Sequence, residues 1–184
     1  MPTLPCRTPR RRTVSRRTTV AAMLIGLAAP LLSAATPALA SDDYAYRYDR
    51  TQTADPWGFT KRQCVSFAAF RLAQHGHPLR NSTQHWGDAH HWDDTAVSSH
   101  FRVTTRPVVG AVAQWNAYER SAWYANGSQR PNGTLQAGGY GHVAVVSRVY
   151  SDGSVQIEQY NMSGLRTWST MRARAPRYLY IGVR

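Results

Sequence analysis

Two residues of this 184-residue chain have side chains suited to nucleophilic catalysis, Cys64 and His142. A thiol becomes a strong nucleophile only as a thiolate, which the partial positive charge at a helix N-terminus favours. Apolar residues from Val65 to Leu72 recur at helical spacing, so Cys64 lies in the first turn of a predicted helix. His142 opens the continuously apolar run VAVV and therefore projects from the start of a predicted strand, where it is suited to act as the base.

An imidazole base needs a third group that accepts a hydrogen bond from its second nitrogen. Asp152-Gly153 predicts a tight hairpin, which places the strand at 154–161 beside the strand of His142. Gln159 and Asn161 share one face of that strand, and Glu158 lies on the other. Strand alternation favours Gln159, assisted by Asn161, as the orienting residue. A one-residue bulge would instead bring Glu158 to the imidazole.

The elements that carry these residues fall into two groups. Thr60 and Gln63 fit a capping box, so the helix of Cys64 is predicted to begin near Thr60 and to end at His75-Gly76. A second short helix is predicted within 86–100. Strands are predicted at 110–115, 142–150, 154–161, 166–171 and 178–183, with a long Gly-, Asn- and Ser-rich loop at 116–141. Helices followed by antiparallel strands indicate an α+β fold with N-terminal helices packed on a five- to six-stranded antiparallel sheet.

The first forty residues have the pattern of a cleaved export signal. An arginine-rich start precedes an apolar run at 20–35, and a small-x-small site ends at Ala40. The motif SRRTTV at 15–20 is similar to the twin-arginine export signal, which points to a bacterium. The apolar run is too short to cross a bilayer, so no membrane span is expected after cleavage. We therefore expect a secreted protein with a Tyr-rich lead-in at 41–54 and a catalytic domain at 55–184.

Cleavage would remove Cys6 and leave Cys64 as a single thiol, which excludes a disulfide-scaffold protein. The alternative to a nucleophile is a buried cysteine that acts as a small hydrophobe. No cofactor is expected, and the histidines at 75–100 match no zinc-ligand spacing, so no metal site is predicted.

The formal charge of the chain is +12, but six arginines and no acid lie in the first forty residues. The remainder carries +6, and its basic residues are scattered, which argues against a nucleic-acid groove. Such a surface would still be attracted to a polyanionic cell wall.

Several blocks carry a family resemblance. DPWGFTKRQCVSFAAFRL, WGDAHHW, PVVGAVAQW, GGYGHVAVV and DGSVQIEQYN resemble, in order from about Asp55 to Val183, the CHAP domain. This is the cysteine, histidine-dependent amidohydrolase/peptidase family, of papain-like fold within the NlpC/P60 superfamily. The resemblance implies that Cys64 is the nucleophile and His142 the base in cleavage of a peptidoglycan amide, either the muramoyl–alanine link or a peptide cross-bridge.

The sequence departs from the family pattern at one position. The family usually has Glu two places before the strand's Asn, and Gln159 stands there instead, with Glu158 one place earlier. Aromatic and amide side chains near the motifs are candidates for substrate contact, with the backbone N–H of Cys64 as the oxyanion donor. These candidates are Trp57, Gln63, Trp115, Trp123 and Tyr140. A core position is the alternative for each tryptophan, and Gln63 and Tyr140 have the alternatives of capping and packing.

These expectations together describe a monomeric, wall-associated peptidoglycan hydrolase. Two alternatives remain open. One is a catalytically inactive wall-binding or effector domain, which the substituted acidic position would suit. The other is a cysteine acyltransferase of similar fold, which passes the acyl group to an amine instead of water.

Overall fold

The structure is a computed structural model that describes residues 41–125, 128–162 and 164–183. The predicted export signal and its cleavage site lie outside these residues and stay predictions. Among the described residues, no helix is both long and apolar enough to cross a membrane.

The helix that carries the cysteine, α1, spans Cys64–Gln74. The predicted start near Thr60 is wrong, because Thr60 forms an isolated β-bridge with Ala54 and Arg62 has a positive φ of 61°. A left-handed residue cannot belong to an α-helix. Cys64 is therefore the first residue of α1, with Gln63 as its N-cap. The helix ends at His75-Gly76 as predicted, where Gly76 has a φ of 84°.

Three further helical segments precede the sheet. They are α2 (Asn81–Gln84), a 3₁₀ turn (Ala89–His91) and α3 (Trp92–Ser98). The last two lie within the predicted helix at 86–100. In this region the side chains of Trp86, Trp92 and Ala96 are fully buried. Both tryptophans therefore belong to the core.

Within the described residues, the sheet has eight antiparallel strands rather than the predicted five to six, although the α+β class is confirmed. In chain order the strands are β1 (Arg102–Thr104), β2 (Val112–Trp115), β3 (Arg120–Tyr124), β4 (Gly133–Gln136), β5 (His142–Val149), β6 (Val155–Tyr160), β7 (Trp168–Ala173) and β8 (Arg177–Tyr180). Their spatial order is β1-β8-β2-β5-β6-β7-β3-β4. The predicted loop at 116–141 contains β3 and β4, which pair with each other, and β1 is an added edge strand on β8.

The sheet is strongly curled. β2 and β3 are separated by three strands in the spatial order, yet Nε1 of Trp115 at the end of β2 donates a hydrogen bond to Oγ of Ser121 in β3 at 2.8 Å. Among the described residues, the buried apolar side chains form three clusters. The first lies between α1 and the face of β5 that carries Val143 and Val145, and the second lies inside the curl, around Trp115 and Ile157. The third joins the segment before residue 55 to α1 and β6.

The Tyr-rich lead-in is part of the packed domain. Tyr44 is fully buried and packs edge-on against Phe67 and Phe70 of α1. Its hydroxyl is 2.6 Å from Oγ of Ser66 and accepts a hydrogen bond from the backbone N–H of Arg62. The lead-in therefore stabilises the turn immediately before Cys64.

Candidate active site

The thiol of Cys64 lies where the start of α1 meets the start of β5. Cys64 is half-buried, and the backbone N–H of Val143 is close enough to affect its thiol. Burial raises the pKa of the thiol to about 11, while the N–H groups of Val143, Val65 and Cys64 itself oppose this rise. Cys64 therefore lies near the residue that follows His142 in the chain, although the two segments are far apart in sequence.

His142 is the first residue of β5 and is only 3% exposed. Its Nε2 is 3.1 Å from Oε1 of Gln159, and Nε2 of Gln159 donates to Oγ of Ser169 at 3.2 Å. This contact leaves Nδ1 as the nitrogen for proton exchange. Burial lowers the pKa of the imidazole to about 4, and the hydrogen bond with Gln159 partly opposes that effect. The imidazole is therefore neutral at pH 7.

The polypeptide before His142 must approach its neighbours closely. Gly141 has a φ of 72°, and a Cβ there would lie 2.5 Å from the carbonyl oxygen of Trp115 and 2.7 Å from the backbone nitrogen of His90. Only glycine satisfies both conditions. This explains why a glycine stands immediately before the histidine.

Glu158 lies on the opposite face of β6 from Gln159. Its carboxylate accepts hydrogen bonds from Arg71 of α1 at 2.7 and 3.1 Å, so it does not meet the imidazole. The structure does have a register irregularity in this hairpin, but it lies between Val146 and Arg148 of β5 and leaves the alternation of β6 intact. A bulge that turns Glu158 towards His142 is therefore absent from this strand pair.

Among the described residues, Asn161 makes no hydrogen bond with His142. It follows β6 with a φ of 61°, and its Nδ2 donates to Oε1 of Gln63 at 2.6 Å. This bond holds the oxygen of Gln63, and within the described part of the chain Nε2 of Gln63 has no acceptor. Gln63, which precedes Cys64, is thus positioned to donate a hydrogen bond.

A groove of about 620 Å³ opens at Cys64. Its polar lining comes from the lead-in, the turn before α1, the segment before the 3₁₀ turn and the ends of two strands. These residues are Gln52, Thr60, Gln63, Asn81, Asp88, Tyr140 and Asn161. Gln63 and Tyr140 therefore line the groove, and Tyr140 is 74% exposed. Both remain predictions as substrate contacts.

The three tryptophans proposed for substrate contact lie outside this lining. Trp115 is fully buried, with its ring centroid 5.9 Å from that of His142, so the prediction that it lines a cleft is wrong. The curl of the sheet encloses Trp115, and its ring packs beside the imidazole. Trp57 packs between Tyr46 and Phe70, and Trp123 lies in β3 against Gly133. Trp57 therefore packs against the core, as the alternative to substrate contact predicted.

Sequence reasoning did not single out Asp88, Asn81 or Gln52 as parts of this groove. Asp88 is in the motif WGDAHHW, one of the blocks of the family resemblance, and it contributes to the raised pKa of Cys64. Nothing in the local sequence pattern marks Gln52, because it reaches the groove from the lead-in. Among the described residues, no group of three or more His, Cys, Asp or Glu side chains is arranged to hold a metal ion.

A thiol at a helix start, a buried imidazole at a strand start and an amide that binds the imidazole define a cysteine–histidine site on an α+β fold. The family model described as CHAP domain matches residues 54–161. The chain therefore belongs to the CHAP domain family, as the motifs predicted.

The similar proteins are staphylococcal amidases. N-acetylmuramoyl-L-alanine amidase sle1 of Staphylococcus epidermidis is 30% identical over 118 residues, which are 62% of this chain and 29% of that protein. The protein of the same name from Staphylococcus aureus is 29% identical over 127 residues, which are 67% of this chain and 31% of that protein. The chain thus spans about a third of the length of these relatives.

A solved structure shows the same likeness. The crystal structure of an N-acetylmuramoyl-L-alanine amidase from Staphylococcus aureus aligns with a TM-score of 0.53 at 27% identity, covering 70% of this chain and 33% of that one. The similarity therefore extends from the motifs to the arrangement of the helices and strands.

Proposed function

We propose that this protein is a secreted peptidoglycan hydrolase that cleaves an amide bond by a cysteine–histidine mechanism. The observation that carries the proposal is the meeting of Cys64 with the start of β5, where Gln159 binds the imidazole of the adjacent His142. Membership of the CHAP domain family and similarity to named amidases support peptidoglycan as the substrate. The +6 charge of the chain after residue 40 suits a polyanionic wall.

The first chemical step is attack on the carbonyl carbon of the scissile amide. Burial disfavours each charge separately, which leaves a neutral thiol and a neutral imidazole in the resting site. Transfer of the proton from Sγ of Cys64 to Nδ1 of His142 forms thiolate and imidazolium together, and each then stabilises the other. The orienting role falls to Gln159, whose oxygen accepts from Nε2–H in both states of the ring.

The tetrahedral oxyanion would be bound by the backbone N–H of Cys64 and by Nε2 of Gln63. The imidazolium then gives its proton to the leaving amine as the C–N bond breaks, which leaves a thioester on Cys64. A water molecule loses a proton to His142 and attacks the thioester. The acid product and the free thiol are released.

The test is digestion of purified peptidoglycan followed by mass spectrometry of the fragments. We expect the wild-type protein to release peptides with new amino termini and Cys64→Ala to release none, with unchanged circular dichroism. Asp94→Asn, on an exposed residue of α3, is the control that should digest walls normally. Fragments from intact glycan with free alanine amino termini would identify a muramoyl–alanine amidase, and cut bridges would identify an endopeptidase.

Two results would replace the proposal. Wall binding without digestion by either the wild type or Cys64→Ala would identify an inactive binding or effector domain. New cross-links in place of new amino termini would identify an acyltransferase. Digestion by Cys64→Ala equal to the wild type would refute the assignment of the nucleophile.

A further inference from the structure

Asp88 supplies the single carboxylate of the groove that contains Cys64. Apart from the thiol of Cys64, its other polar side chains are amides and hydroxyls, and no Lys, Arg or His of the described residues lines it. The side chain of Asp88 is exposed and makes no hydrogen bond or ion pair with the described residues. An isolated negative charge therefore faces the space that a substrate would occupy, in a chain whose overall charge is positive.

This carboxylate is unfavourable for the free site. Catalysis requires a second negative charge on the sulfur of Cys64, and like charges in one groove repel. Asp88 indeed acts to raise the pKa of the thiol. A cationic group of the substrate that binds Asp88 would neutralise the charge of this carboxylate. The repulsion would then be absent when the thiolate forms. The amide nitrogen of Gln63 is suited to donate to a peptide C=O group but cannot discriminate a charge.

We propose that Asp88 is a specificity-determining residue that recognises a primary ammonium group on the peptide part of the substrate, close to the scissile amide. This inference rests on the proposed function and deepens it, since it names the chemistry that the groove selects. A diamino acid with a free side-chain amine provides such a group, and acylation of that amine removes its charge. The protein thus discriminates free stem peptides from those whose side-chain amine is blocked.

The test uses two soluble muropeptides that differ only in a free or an acetylated side-chain amine. For the wild-type protein we expect a higher kcat/KM on the free amine. In Asp88→Asn, which keeps the shape and loses the charge, the ratio of the two values should fall by about fivefold, the size expected for a partly exposed ion pair. The change should appear mainly in KM, and raising the ionic strength should reduce the wild-type ratio.

Asp94→Asn, a matched change of an exposed aspartate outside the groove, should leave the ratio as in the wild type. An Asp88→Asn variant that loses activity equally on both peptides would overturn the proposal, because a merely structural role has that effect. A wild-type protein that does not distinguish the two peptides would overturn it as well.

Binding to the Cys64→Ala protein separates this inference from the proposed function. Calorimetry on that protein, with and without Asp88→Asn, measures recognition in the absence of turnover. Tighter binding of the free amine that depends on Asp88 supports the inference even if the wild type cleaves neither peptide, a result that refutes only the hydrolase proposal. Equal binding of both peptides refutes the inference.

Discussion

Two neighbouring residues of β6, Glu158 and Gln159, face opposite sides of the sheet and meet opposite kinds of partner. Glu158, on the side here called the helix face, binds Arg71 of α1 and lines a cavity of about 570 Å³. Gln159, on the side here called the histidine face, binds His142. The negative charge lies where a guanidinium neutralises it, and the base is held by a neutral amide. Two consecutive residues of one strand therefore serve different purposes: one forms a structural ion pair, and the other binds an imidazole that stays uncharged.

The largest expected effect concerns stability on the helix face. Arg71 and Glu158 have only 11% and 10% of their side chains exposed, so Glu158→Ala leaves a buried guanidinium with Asp43 as its remaining charged partner. We expect the free energy of unfolding to fall by about 3 kcal/mol, measured by urea denaturation. The double variant Arg71→Met with Glu158→Leu should recover most of this loss. A loss of kcat/KM in folded Glu158→Ala would instead place Glu158 in the catalytic machinery.

The histidine face should make the protein sensitive to acid. Burial lowers the pKa of His142 from 6.5 to about 4, so the folded state binds fewer protons than the unfolded state between these values. The stabilising contribution is complete above pH 6.5 and is lost as the pH falls towards 4, by up to about 3 kcal/mol. Urea denaturation at pH 7 and pH 4 measures it.

His142→Gln provides the reference for this measurement, because it removes the titrating group and keeps a donor for Gln159. Burial also raises the pKa of Asp55, which changes the stability of both proteins with pH. This change is the same in both and cancels when their losses of stability are compared. We expect the variant to lose less stability than the wild type on acidification. Identical losses would mean that the imidazole is not buried as a neutral group.

The next effect is on catalysis. Gln159→Leu removes the acceptor that orients His142, and we expect kcat to fall by about 10- to 100-fold with a smaller change in KM. Gln159→Glu should keep activity and move the acidic limb of the pH–rate profile upwards, since a carboxylate stabilises the imidazolium. Gln156→Leu is the matched control on the helix face of β6. An equal loss of kcat in both leucine variants would show that the orientation of His142 is not the cause.

The smallest expected effect is on stability and concerns Tyr44, which packs on the helix face and binds the turn before Cys64. Tyr44 packs on Tyr160 with ring centroids 4.9 Å apart, and its hydroxyl binds Ser66 and the N–H of Arg62. Tyr44→Phe keeps the ring and should lower the free energy of unfolding by about 1 kcal/mol, measured by thermal denaturation. Tyr46→Phe, a change in the neighbouring ring, should have almost no effect. Equal effects would contradict the role of the buried hydroxyl.

The contrast between Gln159 and Glu158 was predictable because strand alternation and a hairpin signal are local. Asp152 and Gly153 form the predicted turn, with Gly153 at a φ of 80° and Asp152 accepting from Ser154. From that turn the facing residues follow by counting. The position of Cys64 at a helix start and of His142 at a strand start was predictable for the same reason, because each depends on a local motif.

Features that depend on tertiary contacts were not predictable. The left-handed conformation of Arg62 delays the helix start, because the preceding turn is held by Tyr44 from a distant part of the chain. The strands β3 and β4 lack apolar alternation and form by pairing with each other. The curl of the sheet buries Trp115, and the groove gathers Gln52 and Asp88 from separate segments.

The most direct test of the cysteine–histidine pair is the pH dependence of Cys64 alkylation by iodoacetamide in the wild type and in His142→Ala. If the imidazole takes the thiol proton, the wild-type reaction rate should rise with an apparent pKa well below 11. The variant should then react with a higher apparent pKa than the wild type, because burial raises the pKa of a thiol that has no proton acceptor. Superimposable profiles would show that the sulfur and the imidazole do not share a proton, and would contradict the proposed mechanism.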